Sequence, residues 1–207
     1  MELVERDIKV FNEVERWRVC LSRHIKFLAG FSSQRICDRR LNLLISENFL
    51  TRSILIYGVP SIYLLTRKSK NLINANKRPD KIRLDQITHD VTVLDMAICI
   101  MKSLNLSPLE VKTEKQLHQE DGFSERIHRP DFIFTKKNKT YCVEVELSLK
   151  SKSRLENNIK SNFYNYDVQI WIIGDNTPKL LRLLEEYKIQ YPNIKIARFT
   201  EVKKCYI

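Results

Sequence analysis

The stretch RPDFIFTKKNKTYCVEVELS, residues 129–148, decides how the second half of this chain folds. DFIFT and TYCVEVELS read as two β-strands, with KKNK as the joint between them. Asp131 opens the first strand. Glu144 and Glu146 stand two apart on the second, so both glutamates share one face of the sheet. Hairpin pairing brings Asp131 toward them. Upstream, a helix from Asp85 to Leu104 carries Ile87, Val91, Leu94, Ile98 and Met101, and Pro108 marks the break before the short strand LEVK. Downstream come a helix from Lys150 to Tyr164, the apolar strand VQIWIIG, a helix TPKLLRLLEEY and a last strand KIARF. The order α-β-β-β-α-β-α-β predicts a mixed sheet with helices on both faces.

The N-terminal residues follow a different pattern. Ile8, Phe11, Val14 (or Val10) and Trp17 recur at helical spacing between Glu5 and Cys20. A short helix follows from Ser22, with Ile25, Phe27 and Leu28 inward and Gly30 as its left-handed stop. Ser32 or Ser33 then caps a third helix, SQRICDRRLNLLISENF, whose core face is read as Ile36, Leu41 or Arg40, Leu43 and Leu44. Its outward positions are read as Gln34, Arg35, Asp38, Arg39 and Asn42, side chains that reach base edges or phosphates. Two β-rich segments, LTRSILIYG and IYLLT, flank a Gly-Val-Pro turn and complete the order of a winged helix. Arg52, Arg67, Lys68 and Lys70 lie near this wing and its exit, where phosphate contacts are expected. NLINANKRPDK, residues 71–81, loses periodicity, and a linker at 74–82 divides a winged-helix domain, 1–74, from an α/β (α+β) domain, 82–207.

Bulk properties agree with a nucleic-acid partner. The chain has 207 residues and a formal charge of +11, a surface field that favours polyanions. Five cysteines are scattered without CxxC spacing and suit a reducing compartment. The N-terminus lacks the features of a signal peptide, and no apolar run approaches the ~20 residues that span a bilayer, so a cytoplasmic location and no membrane partner are expected.

Three carboxylates converging at a sheet end, Asp131, Glu144 and Glu146, make a hard oxygen site suited to Mg²⁺ or Mn²⁺. The same alternation with Val143, Val145 and Leu147 is also what a half-exposed strand shows. Lys150 and Lys152, just after the strand, are placed to neutralise a phosphate or orient water.

RPDFIF followed by VEVELSLKSKSR resembles the PD-(D/E)XK nuclease core, with Glu146 at the position of the motif lysine. The resemblance implies that Asp131 and Glu144 bind metal and that Glu146 or a nearby lysine handles water. A winged helix, then a helix bearing His89-Asp90, then RPD and EVE is similar to the plasmid replication-relaxation proteins. Those resemble in turn the tyrosine-less mobilisation relaxases of the MOBC class. This likeness implies a divalent-metal-dependent nicking endonuclease acting on double-stranded plasmid or mobile-element DNA, at an origin of transfer or replication, alone, as a homodimer or with mobilisation partners. His89 is then a candidate general base or ligand, Glu114 a further acidic ligand, and His118 and His128 weaker candidates. Tyr164 and Tyr166 suggest a tyrosine nucleophile, but the histidine triad such relaxases need is missing from the sequence. A pure DNA-binding accessory or regulatory factor with a degenerate nuclease domain is the alternative.

Overall fold

The computed structural model describes residues 2–54, 60–76, 82–121, 128–148 and 151–204. It is a mixed α/β protein that divides into two compact units, 1–95 and 96–207. The expected joint at 74–82 falls partly outside the described residues. The division between units lies inside a helix, at Asp95–Met96.

The first unit begins with α1 (Glu5–Trp17), β1 (Cys20–Leu21), α2 (Ser22–Leu28) and α3 (Gln34–Ser46). Asp7 opens α1 by accepting the Val4 N–H at 2.8 Å, which satisfies one of the orphan donors of a helix start. The inward apolar stripe of α1 is Val10, Phe11, Val14 and Trp17, while Ile8, expected in the stripe, is only half-buried. Ser22 is the first residue of α2 rather than its cap. The Leu21 N–H instead meets Nδ1 of the buried His24 at 3.2 Å. Gly30 follows at φ 69°, the left-handed conformation expected of it. Ser33 caps α3, its hydroxyl accepting the Ile36 N–H at 3.3 Å.

The core face of α3 differs from the expected one. Cys37, Leu41 and Leu44 are fully buried, whereas Ile36 is 49% exposed and Leu43 39% exposed. Both sets keep helical spacing, and the choice between them follows from what α1 presents. Arg40, between the two stripes, pairs with the fully buried Asp7, and its Nε lies 2.8 Å from Asp7 Oδ1. That ion pair ties α3 to α1 beside the buried stripe.

β2 (Leu50–Ser53) and β3 (Ile62–Leu65) pair antiparallel, and β1 adds to β3, giving a three-stranded sheet in the order β1-β3-β2. The two-residue β1 carried no sequence signal. Of the expected Gly-Val-Pro turn, Gly58 and Val59 lie outside the described residues. α4 (Arg67–Leu72) follows, capped by the Thr66 hydroxyl. The unit closes with the first turns of α5 (Ile87–Leu104), where Ile87 packs on Val19, Leu21 and Ile62. Asp95 accepts hydrogen bonds from Arg23 at 2.7 Å and from His24 at 2.9 Å.

The second unit holds the rest of α5, β4 (Val111–Thr113), α6 (Glu114–Glu120), β5 (Phe132–Lys136), β6 (Lys139–Glu146), α7 (Lys152–Asn165), β7 (Val168–Ile173), α8 (Pro178–Gln190), β8 (Ile194–Arg198) and α9 (Phe199–Lys204). Its five strands run in the order β4-β5-β6-β7-β8. β5 is antiparallel to both β4 and β6, and β6, β7 and β8 are parallel, so the mixed sheet is as expected. α6 and α9 were not legible in the sequence. Lys137 and Asn138 both have positive φ, 50° and 59°, making the two-residue turn whose twist matches a hairpin. That turn sets the β5–β6 register at Lys136↔Lys139 and carries it to Phe132↔Val143. One face of the sheet is covered by α7 and α8, with Trp171 and Ile173 packed among Leu155, Ile159, Leu180 and Leu184. Among the described residues no helix is long and apolar enough to cross a membrane.

Candidate functional site

One step beyond the Phe132↔Val143 pair, the register sets Asp131 across from Glu144. Asp131 Oδ2 accepts the Val145 N–H at 2.7 Å, which holds the start of β5 against β6. Glu144 and Glu146 share the face covered by α7, as the alternation predicts, since their β7 partners are Trp171 and Ile173. Both are buried.

The surroundings of the two glutamates differ. Glu144 Oε1 lies 2.6 Å from His128 Nε2 and 2.8 Å from Asn162 Nδ2. Glu146 sits two residues further on and lines a cleft with Ser148, Ser151, Arg154 and Asn158, floored by Leu155 and Leu180. Adjacent to the first group, Arg129 pairs with Asp121. Burial pushes the Tyr166 phenol up to about 12, against the Arg129 hydrogen bond that favours its ionised form. Such a phenol is a poor nucleophile at neutral pH. Tyr164 is 73% exposed.

The expected convergence of three carboxylates on one ion is not what these residues make. Among the described residues no group of three or more His, Cys, Asp and Glu side chains is arranged to hold a metal. Glu144 Oε1 already takes two donors, and Asp131 Oδ2 takes a backbone N–H. Asn162 Oδ1 is a further buried acceptor beside Glu144, but an amide oxygen next to a carboxylate oxygen that already takes two donors is no cage for a hard cation. The described donor set therefore fits a hydrogen-bonded carboxylate better than Mg²⁺ or Mn²⁺.

The remaining candidates are dispersed. Glu114 is the first residue of α6, and its N–H donates to Asp131 O at 3.0 Å while its carboxylate lies 3.7 Å from His118. His89 belongs to the first unit, with Nδ1 3.3 Å from Asp90 Oδ1. Lys150 lies outside the described residues. Lys152 is an exposed residue in the first turn of α7, and the cation that shares the Glu146 cleft is Arg154. His128, a weaker candidate from sequence, and Asn162, which no sequence motif singles out, both contact Glu144. Asn158 and Asn162 are buried one turn apart beside Leu155 and Ile159. A polar pair on an apolar helix face was the available signal.

In the first unit, Arg35, Arg39 and Asn42 are exposed along α3, and none is hydrogen-bonded or ion-paired to another described residue. Gln34 is held inward, its amide donating to Ser22 Oγ and Asp38 Oδ1, both at 2.9 Å. Arg52 is exposed on β2 opposite Tyr63. Lys68 donates to Glu47 O at 3.0 Å and lies over the Phe49 ring. Lys70 is buried and 3.6 Å from Glu15, which removes it from the expected phosphate contacts. Comparison with protein-family models and with curated protein sequences finds no match to this chain.

Proposed function

We propose that the protein binds double-stranded DNA through α3 and the β2–β3 hairpin, as a winged helix does, and serves plasmid or mobile-element DNA as an accessory or regulatory factor. The observation that carries this reading is the outer face of α3. Arg35, Arg39 and Asn42 stand exposed there, in a chain of net charge +11. Helix–strand–helix–helix–hairpin order supports it, because a capped third helix held by α1 leaves one whole side for a groove. In this reading the second unit, with Asp131 just before β5 and Glu144 on the neighbouring β6, is a PD-(D/E)XK-like core whose acids are held by hydrogen bonds. Binding of a fluorescent 30-bp duplex tests the proposal. The native chain binds, and the Arg35→Ala/Arg39→Ala double variant binds at least tenfold more weakly. Equal binding refutes it.

A second reading, divalent-metal-dependent nicking of the kind found in replication-relaxation proteins and mobilisation relaxases, is favoured by the Asp131–Glu144 juxtaposition. Supercoiled plasmid carrying an origin of transfer, incubated with Mn²⁺, separates the two. Relaxation lost in both Asp131→Ala and Glu144→Ala supports nicking. Intact supercoils with DNA still bound support the accessory role.

A further inference from the structure

We infer that α3 reads thymine: Ile36 and Leu43 contact the C5-methyl groups of thymines on either side of a base addressed by Arg39. This rests on the DNA-binding reading and gives it a substrate class, duplex sites with thymines at defined spacing. Ile36, Arg39 and Leu43 follow one another by three and four residues, so they form one row along the exposed side of the helix. Both apolar side chains are open to solvent, 49% and 39%, and flank a shallow depression shared with Arg39, Arg40 and Asn42. The core of the unit does not need them, since Cys37, Leu41 and Leu44 fill that side of α3.

Charge identifies the occupant. A protein laid on this row must cover the Arg35 and Arg39 guanidiniums, whereas a duplex pairs them with phosphates or guanine edges. The one acidic residue on α3, Asp38, already accepts from Gln34. In a major groove, aliphatic side chains have one apolar partner among the base edges, the thymine methyl. Seven helical residues rise about 10 Å, the length of about three base-pair steps, so the two methyls stand about three steps apart.

Selection of a random 20-bp duplex pool on the full chain tests this. Bound duplexes are enriched in thymines about three steps apart. Resynthesis with deoxyuridine at either position removes only a methyl and weakens binding about fourfold. Ile36→Ala/Leu43→Ala, exposed substitutions whose folding is checked by circular dichroism, equalises the thymine and uracil duplexes. Selected duplexes bound equally well with either base overturn the inference and leave DNA binding standing. Failure to retain any duplex overturns both. A dimer that Leu43→Arg converts to monomer, with no methyl discrimination, overturns the inference in favour of a contact between copies of the chain.

Discussion

His128 Nε2 lies 2.6 Å from Oε1 of the buried Glu144, sixteen residues away in sequence, and Asn162 approaches the same oxygen from α7. The two contacts hold the buried carboxylate from both the segment before β5 and the helix that covers it. Removing one of them leaves a buried carboxylate short of a hydrogen bond. His128→Ala is expected to destabilise the protein by about 1.5–3 kcal/mol, read as a lower urea midpoint at unchanged slope. An unshifted midpoint means that the pair contributes nothing to stability.

Asp7 and Arg40 form the corresponding link in the first unit. Asp7 is fully buried, so Arg40→Ala strands its charge and is expected to cost about 3–5 kcal/mol. Asp7→Leu/Arg40→Met, which removes both charges, is expected to recover most of that loss in a double-mutant cycle. Full additivity of the single changes would show that the two side chains do not interact.

Acid sensitivity follows from His24 and Asp95. Burial holds the His24 imidazole below its ordinary range, outweighing the Asp95 hydrogen bond. Burial also opposes ionisation of Asp95, and there the donors His24 and Arg23 win, holding the carboxyl below its usual range. For His24 the unfolded chain binds the proton first, so stability is fully present above pH ~6.5 and declines as pH falls through the folded value. Asp95 adds a second loss as pH falls below ~4. Denaturant titrations between pH 8 and 5 are expected to show the first decline in the native chain and not in His24→Gln. An equal decline in both would assign it elsewhere.

Along α3, side chains that face outward and side chains held inward are expected to differ in DNA binding. Asn42→Ala is expected to weaken duplex binding several-fold, whereas Gln34→Ala, whose amide already serves Ser22 and Asp38, changes it less than twofold. Fluorescence anisotropy at one salt concentration decides between them. A larger loss for Gln34→Ala would put the reading surface one turn away from the face proposed.

Electrostatics give an independent check. If Arg35 neutralises a phosphate and Arg39 addresses a base, the slope of log K against log salt falls by about 1 in the double variant. An unchanged slope with weaker binding would assign both arginines to base edges instead.

Much of the element order was legible because it is local. Period-2 and period-3.6 patterns marked most of the longer helices and strands, and KKNK, residues 136–139, was recognisable as the joint between two strands. What the sequence could not rank was competition between equivalent stripes and between distant partners. On α3, Ile36/Arg40/Leu43 and Cys37/Leu41/Leu44 have the same spacing, and the second set is the one packed inside, with Arg40 at the edge meeting Asp7 on α1. Glu144 and Glu146 read alike on one strand. One meets His128 and Asn162 and the other a cleft with Arg154, a difference made by the path of α7 and the residues before β5. The chain by itself determined which of the longer segments are helical or extended, because that depends on near neighbours. Tertiary packing alone decided which face of each is buried and which donor each buried acid finds, because those partners come together only when the backbone closes.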